Sequence, residues 1–126
     1  MADFNWRRFI DLAETLFDTR SKDSGEEAVL RTVVNRAYYG AFKLAYNKAL
    51  RSFWISRTTT GSVHRLTIMA YKHRLDPINA EIAALLEPMF HNRLKCDYHN
   101  VWKNFKPLAA VAESTLSSAR RIAALL

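Results

Sequence analysis

Residues 24–53 read SGEEAVLRTVVNRAYYGAFKLAYNKALRSF, and this stretch decides the fold. Leu30, Val33, Val34, Ala37, Tyr38, Ala41, Leu44, Ala45 and Phe53 recur at helical spacing and form a broad apolar face. Ser24 followed by Glu27 has capping-box spacing, so the helix is expected to begin there and to run to about Phe53. Gly40 interrupts the apolar face and marks a place where another helix is expected to pack closely.

A helix that is apolar over so wide a face needs other helices to cover it, and the flanking sequence supplies them. Upstream, Trp6, Phe9, Ile10, Ala13, Leu16 and Phe17 form one helical stripe between Asp3 and Arg20. Downstream, Arg57 to Gly61 holds three consecutive threonines and reads as a loop. Ser62 can cap a third helix that carries Val63, Leu66, Ile68, Met69 and Tyr71 and ends near Leu75. Asp76 followed by Pro77 opens a fourth, in which Ile78, Ile82, Leu85, Leu86 and Met89 form the stripe and Pro88 is expected to kink or divide the helix. Pro107 precedes a fifth, which runs from Leu108 to the C-terminus. Between the last two, Lys95 to Lys106 is expected to interrupt the bundle.

Only three glycines and three prolines occur in 126 residues, too few turn formers for a β-rich fold of this length. A hydrophobic content of 49% suits one continuous core. The expected architecture is therefore a single all-α domain, residues 1–126, built as a bundle of about five helices. No apolar run approaches the roughly 20 residues that cross a bilayer, and the N-terminus lacks a signal-peptide pattern, so a soluble, cytoplasmic protein with no membrane partner is expected. Cys96, the single cysteine, cannot form an internal disulfide. A formal charge of +7 favours polyanions near the surface, although simple solubility explains it equally well.

The expected interruption holds the densest set of reactive groups: His91, Asn92, Arg93, Lys95, Cys96, Asp97, Tyr98, His99, Asn100 and Lys103. No Cys or His pairs stand at zinc-site spacing, so no metal is expected; the domain is also expected to work without an organic cofactor. Arg36 can face a groove and bind phosphate, or pair with Asp97 as a structural bridge. Tyr38 and Tyr39 can stack on bases, although Tyr38 continues the apolar stripe and reads as core or interface. His64 is expected to cap or pack against the start of the third helix. Lys43, Lys48, Arg51 and Arg57 form a basic run that could track a phosphate backbone.

Three stretches together resemble the HEPN domains, helical bundles of prokaryotic toxin–antitoxin and defence systems and of RNA-cleaving enzymes. They are Arg36-Ala-Tyr-Tyr-Gly-Ala-Phe42, Gly61-Ser-Val-His64 and Arg93-Leu-Lys-Cys-Asp-Tyr-His99, in the family's order. The resemblance implies a metal-independent endoribonuclease. Arg93 and His99, with five residues between them, would be catalytic, and Arg36, Tyr39, Asn92, Lys95, Asp97 and Tyr98 would bind substrate. It also implies a homodimer whose two copies build one groove. Histidine can carry the proton from the 2′-hydroxyl and arginine can stabilise the phosphoryl charge, leaving a 2′,3′-cyclic phosphate. In active members a polar residue often follows the arginine, where this chain has Leu94. Arg93, Asp97 and Tyr98 are also similar to a set of HEPN proteins known mainly as partners of nucleotidyltransferases. A catalytically silent module that binds such an enzyme, or an antitoxin, is the alternative.

Overall fold

The computed structural model describes residues 3–57, 61–103 and 106–126, so the loop expected at Arg57 to Gly61 lies partly outside the described residues. Among the described residues five helices form: α1 (Arg7–Asp18), α2 (Glu26–Arg51), α3 (Val63–Lys72), α4 (Pro77–Tyr98) and α5 (Leu108–Leu125). The all-helical expectation holds, and no strand occurs among the described residues. The apolar face of α2 is broad enough to meet all four other helices, so α2 is the centre of the bundle. Val33, Val34, Ala37, Tyr38, Ala41, Ala45 and Ala49 are fully buried along it, and they join Ile10, Tyr71, Leu86 and Ile122 in one core.

Small residues set how closely the helices approach. A Cβ at Gly40 would stand 2.7 Å from Cγ1 of Ile10 and 3.0 Å from the carbonyl oxygen of Trp6. Only glycine therefore lets the first turn of α1 lie against α2, as its place in the apolar face predicts.

Two helix starts, those of α3 and α4, are capped by side chains. Ser62 accepts the amide of Arg65, and Asp76 accepts that of Asn79 at 3.0 Å with Pro77 at the first helical position, so both expected caps form. The capping box at Ser24 does not form. Gly25 is the N-cap, with no side chain bonded to the first turn; Asp23 Oδ1 accepts the Gly25 amide at 2.9 Å, just before the helix, and Arg20 holds Glu26 at 3.1 Å. Pro88 does not divide α4. It and Ala84, whose carbonyl loses its usual partner, are both on the exposed side, where water can take the unmet bond.

Three helix ends differ from expectation: α3 stops at Lys72, short of Leu75, and the ends of α4 and α2 shift as well. The interruption begins at His99, because α4 continues through Lys95 to Tyr98, its last turn braced by Arg93 and Asp97 four residues apart. Phe53 does not belong to the apolar face: α2 stops at Arg51, and Phe53, at φ +60°, turns outward with 92% of its surface exposed. Among the described residues, no helix is long and apolar enough to cross a membrane.

Candidate functional site

The inner face of α4 carries Arg93 into the bundle, where it is 5% exposed. Its Nη1 donates to Oδ2 of Asp97 at 3.2 Å, and its guanidinium carbon lies 5.2, 5.5 and 5.6 Å from the ring centres of Tyr39, Tyr38 and Phe90. The flat cation is thus packed among aromatic rings and tied to one carboxylate. Its Nε is buried with no hydrogen-bond partner. Asp97 has a second anchor, since Nδ2 of Asn35 donates to both of its oxygens at 3.1 and 3.2 Å.

One turn before Asn35, Arg31 closes the end of α4. Its Nη1 donates to the carbonyls of Cys96 at 3.0 Å and His99 at 2.6 Å, a cation placed where the helix dipole is negative. The thiol of Cys96 lies beneath, and burial pushes it up to about 11, so it is protonated at neutral pH. A cleft of about 410 Å³ opens between α2 and α4, lined by Arg31, Thr32, Asn35, Arg36, Cys96 and Asp97.

On the other side of Arg93 stands His64, carried inward by the first turn of α3. Its Nδ1 is 2.7 Å from the hydroxyl of Tyr38, and its ring stacks on Phe42 at 4.3 Å and on Phe90 at 5.3 Å. Burial, then the charges of Arg93 and Lys43, lower its pKa to about 4, so the imidazole is neutral at physiological pH. Burial holds the Tyr38 phenol well above its usual range.

Of the residues singled out in the sequence, the structure brings Arg93, Asp97 and Tyr39 together. His99 is not among them. It caps α4 at φ −87° and ψ 126°, with its side chain exposed, beyond the helix as expected. Six helical positions nonetheless separate it from Arg93, which places the two about 120° apart around the axis. Arg36 does not bridge to Asp97, because Arg93 already occupies that carboxylate; Arg36 lies instead over the ring of Phe9 at 5.2 Å. Tyr98 is 72% exposed, and Asn92 and Lys95 are half-buried on the flanks of α4. Tyr38 is core, at 0% exposure.

Sequence reasoning missed Arg31 and Asn35, although the four-residue spacing of Glu27, Arg31 and Asn35 marks a polar stripe beside the apolar face of α2. It also missed the depth of His64, which no pattern within α3 reveals. No group of three or more His, Cys, Asp or Glu that could hold a metal ion occurs among the described residues. No protein-family model, curated protein or solved structure matches the chain.

Proposed function

We propose that the chain is a catalytically silent, HEPN-like module that acts by binding rather than by cutting RNA. The observation that supports this most is the burial of Arg93 against Asp97 and three rings. A guanidinium that stabilises a phosphoryl group must come within about 3 Å of its oxygens, and doing so here would break the Asp97 bond and strip away the aromatic cover. His64, the imidazole beside Arg93, is unprotonated at neutral pH and cannot serve there as an acid. The resemblance in sequence makes a nucleotidyltransferase or an antitoxin in the cytoplasm the expected protein partner. The exposed Tyr98 and Val101 at the end of α4 offer it apolar contact.

His99 supports a second reading, a ribonuclease that is complete only as a two-fold dimer. Its ring is exposed at the end of α4, where a second copy could present a groove to it. One experiment separates the two. Purified protein is incubated with cellular RNA in the presence of a chelator, and Arg93→Ala and His99→Ala are carried alongside with melting curves. The silent module cuts nothing, and Arg93→Ala lowers its stability. Cleavage to cyclic-phosphate ends, abolished by His99→Ala at an unchanged melting temperature, would replace the first reading with the second.

A further inference from the structure

Phe53 stands where the backbone favours glycine. Helix α2 ends with the Trp54 amide donating to the Ala49 carbonyl at 2.9 Å and the Phe53 amide to the Leu50 carbonyl at 3.1 Å, the paired bonds of a Schellman ending. The residue at this turn is left-handed, and Phe53 adopts φ +60°, where a bulky side chain crowds its own backbone. Burial would offset that strain, but the ring is 92% exposed. A strained aromatic with so little packing around it points to a role outside the protomer.

The surface leading to Phe53 has a consistent chemistry. From Ala28 to Leu75 the chain has nine lysines and arginines and no aspartate or glutamate; all twelve acidic residues lie elsewhere, with the other ten basic ones. The net positive charge of the protein therefore belongs to α2, α3 and the segment between them. Arg36, Tyr39, Lys43, Tyr46 and Leu50 follow one another at steps of three and four along one stripe of α2, all half-buried. Arg36 and Lys43 form no ion pair among the described residues. Arg36 rests on Phe9, and Lys43 lies 5.1 Å from the ring centre of Trp6 and 5.2 Å from that of Tyr46. Beyond Leu50, a cleft of about 700 Å³ lined by Arg51, Trp54, Ile55 and Arg57 opens beside Phe53.

We propose that this track, from Arg36 to Phe53, binds single-stranded nucleic acid, with bases packed against the exposed Phe53 and the solvent-facing parts of the half-buried Tyr39 and Tyr46, and phosphates along Arg36, Lys43 and Arg51. Tyr39 and Tyr46 are seven residues apart, about 10 Å along the helix, with a cation between them. Alternation of rings and cations suits a chain in which charge and π-surface also alternate. A duplex keeps its base faces covered and cannot use the rings. A second copy of this chain would set cations against cations, and an anionic lipid surface would use an apex rather than a line of rings along a helix. The proposal stands apart from the silent-module reading, because a nuclease and a binding module could both use the track.

The test is fluorescence anisotropy with a thymidine deoxyoligonucleotide of about 12 nucleotides, which lacks the 2′-hydroxyl and so reports binding whether or not the protein cuts RNA. The expected result is a preference for the single strand over a duplex of equal length, with affinity falling steeply as salt rises. Phe53→Gly should weaken binding about tenfold while raising the melting temperature, because glycine relieves the left-handed turn. A substitution that stabilises the fold cannot lose binding by unfolding. Lys43→Gln should lower the salt dependence. Equal affinity for duplex and single strand, or unchanged binding by Phe53→Gly, would overturn the proposal. So would Phe53-dependent binding to phosphatidylserine vesicles without binding to the oligonucleotide.

Discussion

Replacing Arg93 by alanine is the sharpest test of whether that residue builds the fold. The substitution removes a guanidinium that is 5% exposed, its bond to Asp97 and its contacts with Tyr38, Tyr39 and Phe90. Breaking a fully buried ion pair costs about 3–5 kcal/mol. That figure needs discounting, because the Asp97 side chain is 25% exposed and keeps the amide of Asn35. Losing the cation–π contacts and opening a gap among the rings adds about 1–2 kcal/mol, whereas relief of the unpartnered Nε returns about 1 kcal/mol. The expected net loss is about 2–3 kcal/mol, which for a domain of this size lowers the melting temperature by about 10 °C. Urea unfolding by circular dichroism measures it directly. Arg93→Met keeps most of the volume and should cost under about 1.5 kcal/mol. A loss below about 0.5 kcal/mol for Arg93→Ala would show that the buried pair contributes nothing to stability. The silent-module reading would then lose its main support.

Two further outcomes follow from the packing. Gly40→Ala should cost about 1–2 kcal/mol in urea unfolding, because the clash with Ile10 and the Trp6 backbone outweighs the roughly 1 kcal/mol gained in helix propensity; an increase in stability would mean that α1 can move away freely. His64 has its folded pKa depressed to about 4 from 6.5, so the unfolded chain takes up the proton first. Its neutral, stacked state therefore stabilises the fold fully above about pH 6.5, and that contribution is lost as the pH falls towards 4. His64→Phe should flatten this part of the stability profile, and an unchanged acid limb would assign it to other groups.

The five-helix plan was legible because apolar positions recur at helical spacing along α2 and the caps at Ser62 and Asp76 are local chemistry. Helix ends were harder. Ser24 offers a hydroxyl at capping-box spacing, but the path of the chain puts Gly25 at the N-cap of α2 and leaves the first turn without a side-chain bond. Pro88 falls on the solvent side of α4, which is known only once α4 is docked. At the candidate site, the spacing of Arg93 and His99 is visible in sequence, but the burial that separates their roles arises from α2 and α3. Asp97 could attract Arg36 or Arg93 equally well on paper. The helical step of four residues brings Arg93 to it without any rearrangement, whereas Arg36 lies over the face of Phe9.

The hold of Arg31 on the end of α4 bears on how position 99 can be used. The bond is made to the carbonyl of His99, not to its ring, so the backbone there keeps its place whatever side chain it carries. Position 99 is accordingly a tolerant attachment point: a cysteine-linked dye would sit at a fixed root with a free head, 2.6 Å of hydrogen bond away from α2. Because Cys96 is buried, a thiol introduced at 99 would react first under native conditions. A label placed there would report the arrival of a partner at the tip of α4 without disturbing the residues that keep that tip in register with the rest of the bundle.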